Sequence, residues 1–274
     1  MNTPQRYSML AGVLILTACA SPANHYDPLE SINRPIYKFN DATDRVFLKP
    51  VAKAYRAVTP QFVQTGVHNF YENIDDVFTI INGALQGKAK QAGSDTLRVL
   101  LNTTVGVVGL VDVASHVGLE KHDEDVGQTL GYWGMGSGAY LMLPFMGPST
   151  LRDLSHFPLR FALSPIGEVK YIPLRNTLYG LSLIDTRTQL LAYDSFLEDA
   201  FDPYSFVRDS YLQQRYNKVW DGKPPEPLKL SEDEQEEPEA PVAVEASSVV
   251  ATPTQEAVVV SPPGASEAIA APAP

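Results

Sequence analysis

Apolar residues recur at steps of three and four along most of residues 27–220, and this period predicts a succession of helices. The first starts at Asp27-Pro28-Leu29-Glu30, with an aspartate cap, proline at the first helical position and glutamate at the third. Ile32, Ile36, Phe39, Val46 and Phe47 continue it, and Pro35 is expected to kink or interrupt it. Pro50 and Pro60 bracket a short helix carrying Val51, Ala54, Tyr55 and Val58. Val63, Val67, Phe70, Tyr71 and Ile74, then Val77, Phe78, Ile81, Ala84 and Leu85, predict two helices broken at Asp75-Asp76. Gln86-Gly87-Lys88 ends the second, and Ser94 or Asp95 caps a third.

Residues 97–114 are the most apolar part of the chain after its N-terminal run, but Arg98, Asp112, Gly106 and Gly109 make them unsuited to crossing a bilayer, which takes about 20 apolar residues. Helices buried in a core or lying in one leaflet fit better. Between Asp125 and Asp153, glycines at 127, 131, 134, 136, 138 and 147 alternate with Tyr132, Trp133, Met135, Tyr140, Leu141, Leu143 and Phe145. That mixture predicts a glycine-rich hairpin, packed on a core or free to move. Trp133, Tyr140 and Phe145 suit either a core or a membrane interface. Pro158, Pro165 and Pro173 predict loops and short pieces. A helix through Leu174, Leu178, Leu181 and Ile184 follows, and Asp202-Pro203 opens the last. The expected fold is therefore mainly α, with one hairpin insertion, over residues 27–223.

The two ends of the chain read differently. Arg6 precedes the apolar run 9–16, too short to span a bilayer and suited to a secretory leader. Leu16-Thr17-Ala18-Cys19 resembles the lipobox of bacterial lipoproteins, so residues 1–18 read as a signal peptide, Cys19 as the acylated residue and 19–26 as a tether. Cys19 is the only cysteine and has no intrachain disulfide partner. Residues 224–274 are acidic, rich in proline and alanine and without apolar period, and are expected to be disordered.

The net charge of −11 and the lack of a basic block argue against nucleic-acid partners. Enzyme signatures fail as well. Gly136-Ser137-Gly138 lacks the outer glycines of a nucleophile elbow. His122 beside Asp123, Glu124 and Asp125 offers metal-binding atoms without a zinc-binding spacing, and reads as a solvated turn. His25, His68, His116 and His156 are scattered, and no strand-turn-helix surrounds the glycines as a dinucleotide loop requires.

Several segments occur together in one order: DPLESINRPIYKFN (27–40), LQGK (85–88), RVLLNTTVGVVGLVDVA (98–114), VGQTLGYWGMGSGAYLMLPFMGPSTLRD (126–153), DTR (185–187) and DPY (202–204). They resemble the VacJ/MlaA family of outer-membrane lipoproteins over nearly all of residues 19–220. Pro35 and the long tail depart from the family pattern.

The resemblance implies a ring-like helical protein in the inner leaflet of the outer membrane, facing the periplasm; Ala20, rather than aspartate, after Cys19 agrees with that sorting. It implies partnership with a porin trimer and a soluble periplasmic lipid carrier. It also implies removal of misplaced outer-leaflet phospholipid through a polar channel, without catalysis or any cofactor beyond the diacylglycerol and N-acyl chain on Cys19. A structural lipoprotein scaffolding an envelope complex is the alternative, and a lipid hydrolase a third. Candidate pore or lipid-path residues are Asn33, Arg34, Asn40, Asn102, Thr103, Gln128 and Thr129, each alternatively a cap or structural hydrogen bond. Arg152 with Asp153 is a further candidate, read first as a cap, a structural hydrogen bond or a buried ion pair. Gly131, Gly134, Gly136 and Gly138 are the candidate mobile hairpin.

Overall fold

Proline placement sets the first elements. In the computed structural model, which describes residues 21 and 24–230, α1 runs Glu30–Thr43, passes through a π-helical stretch Asp44–Leu48 and continues as α2, Lys49–Val58. Pro35 lies inside α1 without breaking it. The irregularity falls instead at 44–48, one turn before Pro50, whose ring crowds the carbonyl of Val46; the wider π turn relieves that crowding. The expected cap also moves. Leu29 is the residue before α1, and Asp27 turns inward to accept hydrogen bonds from Asn33 and from the Tyr204 hydroxyl.

A single helix α3, Gln61–Leu85, replaces the two expected on either side of Asp75-Asp76. The acid pair does not end it, because Arg160 and Lys121 satisfy those carboxylates from other segments. The turn at 86–88 brings α4, Ala89–Thr104, back along α3. Asp95 lies within α4, buried, and contacts His122 at 2.9 Å instead of capping the helix. The apolar stretch 97–114 is not one buried helix: α4 ends at Thr104, and residues 105–111 form a tight turn before α5, Val113–His116. Val107, Val108 and Gly109 of that turn take φ of 53°, 58° and 86°. The turn is held by Gly109 N–H to the Asn102 carbonyl and Val111 N–H to Gly106.

Next come α6 (Val126–Tyr132), strands β1 (Tyr140–Leu143) and β2 (Gly147–Thr150), and α7 (His156–Leu163). The chain continues through α8 (Ile172–Leu190), α9 (Asp194–Asp199) and α10 (Pro203–Val219). The strands pair antiparallel, Tyr140 opposite Thr150 and Leu143 opposite Gly147. The hairpin is thus shorter than 125–153, with most of the glycines in α6 and the connection before β1. Asp202 caps α10 as expected, accepting the Tyr204 N–H at 3.2 Å.

The architecture is mainly helical with one small hairpin, and among the described residues no helix is long and apolar enough to cross a membrane. Its apolar core is small: Tyr140, Met142, Tyr204 and Leu212, flanked by Ile36, Tyr37, Val207 and Tyr211. Leu228 and Leu230, beyond the boundary expected at 224, also pack there. Cys19 and residues 231–274 lie outside the described residues.

Candidate functional site

Polarity is inverted in this fold. Among the described residues 23 buried side chains are polar or charged against 12 apolar ones, while 37 large apolar side chains are exposed. A protein interior in water has the opposite balance, and so much exposed apolar surface marks a face built against another apolar phase or partner.

Helix α3 shows much of the inversion, although its Tyr71 and Phe78 are buried. Phe62, Val63, Val77, Ile81 and Leu85 are exposed. Gln64, His68, Glu72, Asp75, Asp76, Thr79 and Asn82 fall at helical steps on the inward side, where other elements supply their partners. Gln64 donates to the carbonyl of Thr59 at 2.7 Å, closing the turn between α2 and α3. His68 meets Asp185 of α8 at 3.0 Å. Lys121 bridges Glu72 at 2.9 Å and Asp76 at 2.5 Å, and Arg160 of α7 reaches Asp75 at 2.8 Å. Arg98 of α4 lies 3.8 Å from Asp76 and is held by Asp112, Ser115 and the Leu119 carbonyl. The stripe therefore carries charges of both signs in contact, some buried and some open to water.

The hydrogen bond to Asp185 raises the pKa of His68 above its ordinary 6.5, outweighing the opposing effect of burial. A raised folded value means that protonated His68 contributes stability below about pH 6.5, lost as pH climbs through the folded value. His68 is expected to titrate above 6.5 by NMR in the intact protein and to fall back in Asp185→Asn. An unchanged titration in that variant would contradict the pairing.

A second set of contacts fastens the hairpin. On α1, Asn33 and Asn40 lie two turns apart. Asn33 donates to the Tyr140 carbonyl at 3.1 Å and accepts the Met142 N–H at 2.9 Å. Asn40 donates to the Leu143 carbonyl and accepts the Phe145 N–H, both at 2.9 Å. Each amide acts as a peptide group placed along the free edge of β1, satisfying backbone groups that a third strand would otherwise take. Arg34 points to the last helix, binding both oxygens of Asp202 at 3.1 and 2.7 Å and stacking over Tyr204 at 4.5 Å.

The third set surrounds the glycine-rich connection. Arg215 of α10 forks to Asp125 at 2.6 and 2.9 Å and to Asp153 at 3.0 and 2.9 Å. Asp153 also accepts Tyr211 at 2.8 Å and lies 3.2 Å from Arg152. Burial alone would raise the Asp125 carboxyl, but its bonds to Arg215 prevail and hold it well below the usual range. Gly127 is required by this network, since a Cβ there would lie 2.2 Å from an Asp153 oxygen. Gly131 is similarly pressed on Val219 and Arg152. Gly134 and Gly138 take positive φ, and Gly134 and Gly136 have open space around them, beside a cavity of about 310 Å³ lined by Met135, Tyr216, Trp220 and Leu228.

The remaining expected residues are dispersed. Asn102 bonds Asp112 and the Ala114 N–H at the foot of the apolar turn, and exposed Thr103 accepts Asn73 at 3.0 Å. Gln128 bonds the Asp123 carbonyl at 3.1 Å, and Thr129 ties α6 to Asn82 of α3 and to Gln86 just after it. The charged stripe itself went unread in the sequence. Its signal was the polar recurrence at 64, 68, 72, 75, 76, 79 and 82, in the same window whose apolar period predicted the helices.

A helical chain with a charged interior and an apolar exterior is of the class of proteins that work against lipid. The family model "MlaA lipoprotein" matches residues 25–218, and the chain belongs to the MlaA lipoprotein family. Among its relatives, the Intermembrane phospholipid transport system lipoprotein MlaA of Shigella flexneri is 37% identical over 218 residues, covering 76% of this chain and 86% of that protein. The protein of that name from Haemophilus influenzae is 31% identical, covering 81% and 93%. A solved structure described under "Structural basis for maintenance of bacterial outer membrane lipid asymmetry" superposes with a TM-score of 0.63 at 32% identity. It covers 70% of this chain and 98% of its own.

Proposed function

We propose that this protein is an outer-membrane lipoprotein that takes misplaced phospholipid from the outer leaflet and passes it to a soluble periplasmic carrier, preserving lipid asymmetry. The observation that carries the reading is the inward stripe of α3, a line of paired charges inside an apolar exterior. A phospholipid crossing hydrocarbon needs a hydrated or polar route for its headgroup, while its chains need only apolar surroundings. Membership of the MlaA family and the names of its relatives support the same reading.

In this reading the protein lies in the inner leaflet on the periplasmic side. Acyl chains on Cys19 anchor it there, each buried methylene adding about 0.8 kcal/mol of membrane affinity. A porin trimer is its membrane partner, and the path requires no catalytic step. Movement is confined to the connection at Gly134, Gly136 and Gly138, because Gly131 is tightly packed and Asn33 and Asn40 hold β1.

The test is the outer-leaflet phospholipid content of a deletion strain, against the same strain carrying the intact gene. Accumulation on deletion, reversed by the gene, is expected. Unchanged outer-leaflet lipid would overturn the transport reading in favour of an envelope scaffold.

A further inference from the structure

The charges of the α3 stripe differ in exposure in an orderly way. Asp76 keeps only 4% of its side-chain surface, whereas Glu72, Lys121, Asp75 and Arg160 keep 36, 34, 34 and 44%. Glu72 pairs with Lys121 and, one turn further along the same helix, Asp75 pairs with Arg160. Residues 72 and 75 are three positions apart, a rise of about 4.5 Å, so the two pairs are neighbours on one face of the helix, each leaving an anion and a cation partly exposed. Buried Asp76 holds Lys121 in place from behind.

We infer that Glu72–Lys121 and Asp75–Arg160 form a zwitterion-matching wall, which favours phospholipids whose headgroup carries an ammonium as well as a phosphate. This rests on the lipid-path reading above and names the headgroup class for that path. An aminoethyl phosphodiester has its two charges separated by a two-carbon link, a span comparable with one helical turn. Its phosphate takes Lys121 or Arg160 while its ammonium takes Glu72 or Asp75, so every charge on both partners stays paired. A phosphoglycerol headgroup brings only the anion; it engages a cation and leaves a carboxylate unpaired beside a like charge, an arrangement that selects against it. Exchange between a half-exposed pair and a matching headgroup is nearly even, because open ion pairs are weak. A headgroup can therefore enter and leave without being trapped, as conduction along a multi-site path requires.

The experiment uses the full-length lipoprotein in a strain lacking the chromosomal gene, and measures phosphatidylethanolamine and phosphatidylglycerol in the outer leaflet. The intact protein is expected to clear the ethanolamine lipid in excess of its share of the membrane. Glu72→Gln with Asp75→Asn should move the clearance ratio about fivefold towards phosphatidylglycerol while clearance continues. Arg160→Gln, which leaves Asp75 uncompensated, should move it the opposite way, and an unchanged ratio in this variant overturns the inference even where the double variant fails to accumulate. Clearance of both lipids in proportion to abundance by intact protein and variants overturns the headgroup preference and leaves transport standing. Failure of the intact protein to clear either lipid overturns the transport reading, and the preference with it.

Discussion

Replacing Arg215 with methionine is expected to destabilise the protein by about 3–5 kcal/mol, the usual cost of leaving buried charges without their partner. Arg215 is 7% exposed and makes four hydrogen bonds of 2.6–3.0 Å to Asp125 and Asp153. Without it, two carboxylates on α6 and after β2 face each other in a space that Gly127 keeps narrow. Methionine fills much of the volume and supplies none of the donors. Asp125 also caps α6 through the Gln128 N–H at 2.8 Å, so strain at this point passes into the glycine-rich connection. Denaturant unfolding of the purified lipoprotein in detergent measures the loss. Arg215→Lys should recover part of it, since an ammonium keeps the charge without the fork. Acid sensitivity supplies a second check. The depressed folded value of Asp125 gives stability that is present above its ordinary 3.8 and lost as pH falls towards the folded value; in Arg215→Met burial is left to raise that carboxyl, so the acid-linked loss at Asp125 should shrink or reverse sign. A cost below about 1 kcal/mol would show that the network contributes little to the fold.

Asn33→Ala is expected to cost about 3 kcal/mol, and Asn40→Ala about 1 kcal/mol, although both asparagines bind the hairpin in the same way. The difference is burial. Asn33 is 2% exposed, and its removal strands the Tyr140 carbonyl, the Met142 N–H and an Asp27 oxygen where water does not replace the amide. Asn40 is only partly buried, and water can take its place on Leu143 and Phe145. Hydrogen exchange at Met142 and Phe145 reads each tie separately. Asn33→Ala should release Met142 strongly, and Asn40→Ala should release Phe145 with little effect on Met142. Equal costs, or exchange unchanged in both variants, would count against this account of how the hairpin is held.

Short-range features were legible in the sequence because their causes lie within a few residues. Pro50 and Pro60 bracket α2, Asp202-Pro203 opens α10, and Gln86-Gly87-Lys88 ends α3, as backbone stereochemistry and capping require. The same local reasoning misplaced the first cap and broke α3 at Asp75-Asp76. In both cases the acid is satisfied by a distant residue: Asp27 by Tyr204, 177 positions away, and Asp76 by Lys121, 45 away.

By itself the sequence determined a mainly helical chain with a small hairpin and the ordered motifs that resemble the VacJ/MlaA family. It did not determine which side of each helix is inside. An apolar stripe at steps of three and four looks the same whether it meets a protein core or faces outward, so the spacing of Val63, Val77, Ile81 and Leu85 left open that they are exposed. Only the tertiary structure decided that, by bringing Lys121, Arg160 and Asp185 from three separate segments against one face of α3. The physical reason is the cost of leaving charges unpaired in a buried place: once those partners converge there, the charged side chains of α3 turn towards them with Tyr71 and Phe78, and Val63, Val77, Ile81 and Leu85 are left exposed.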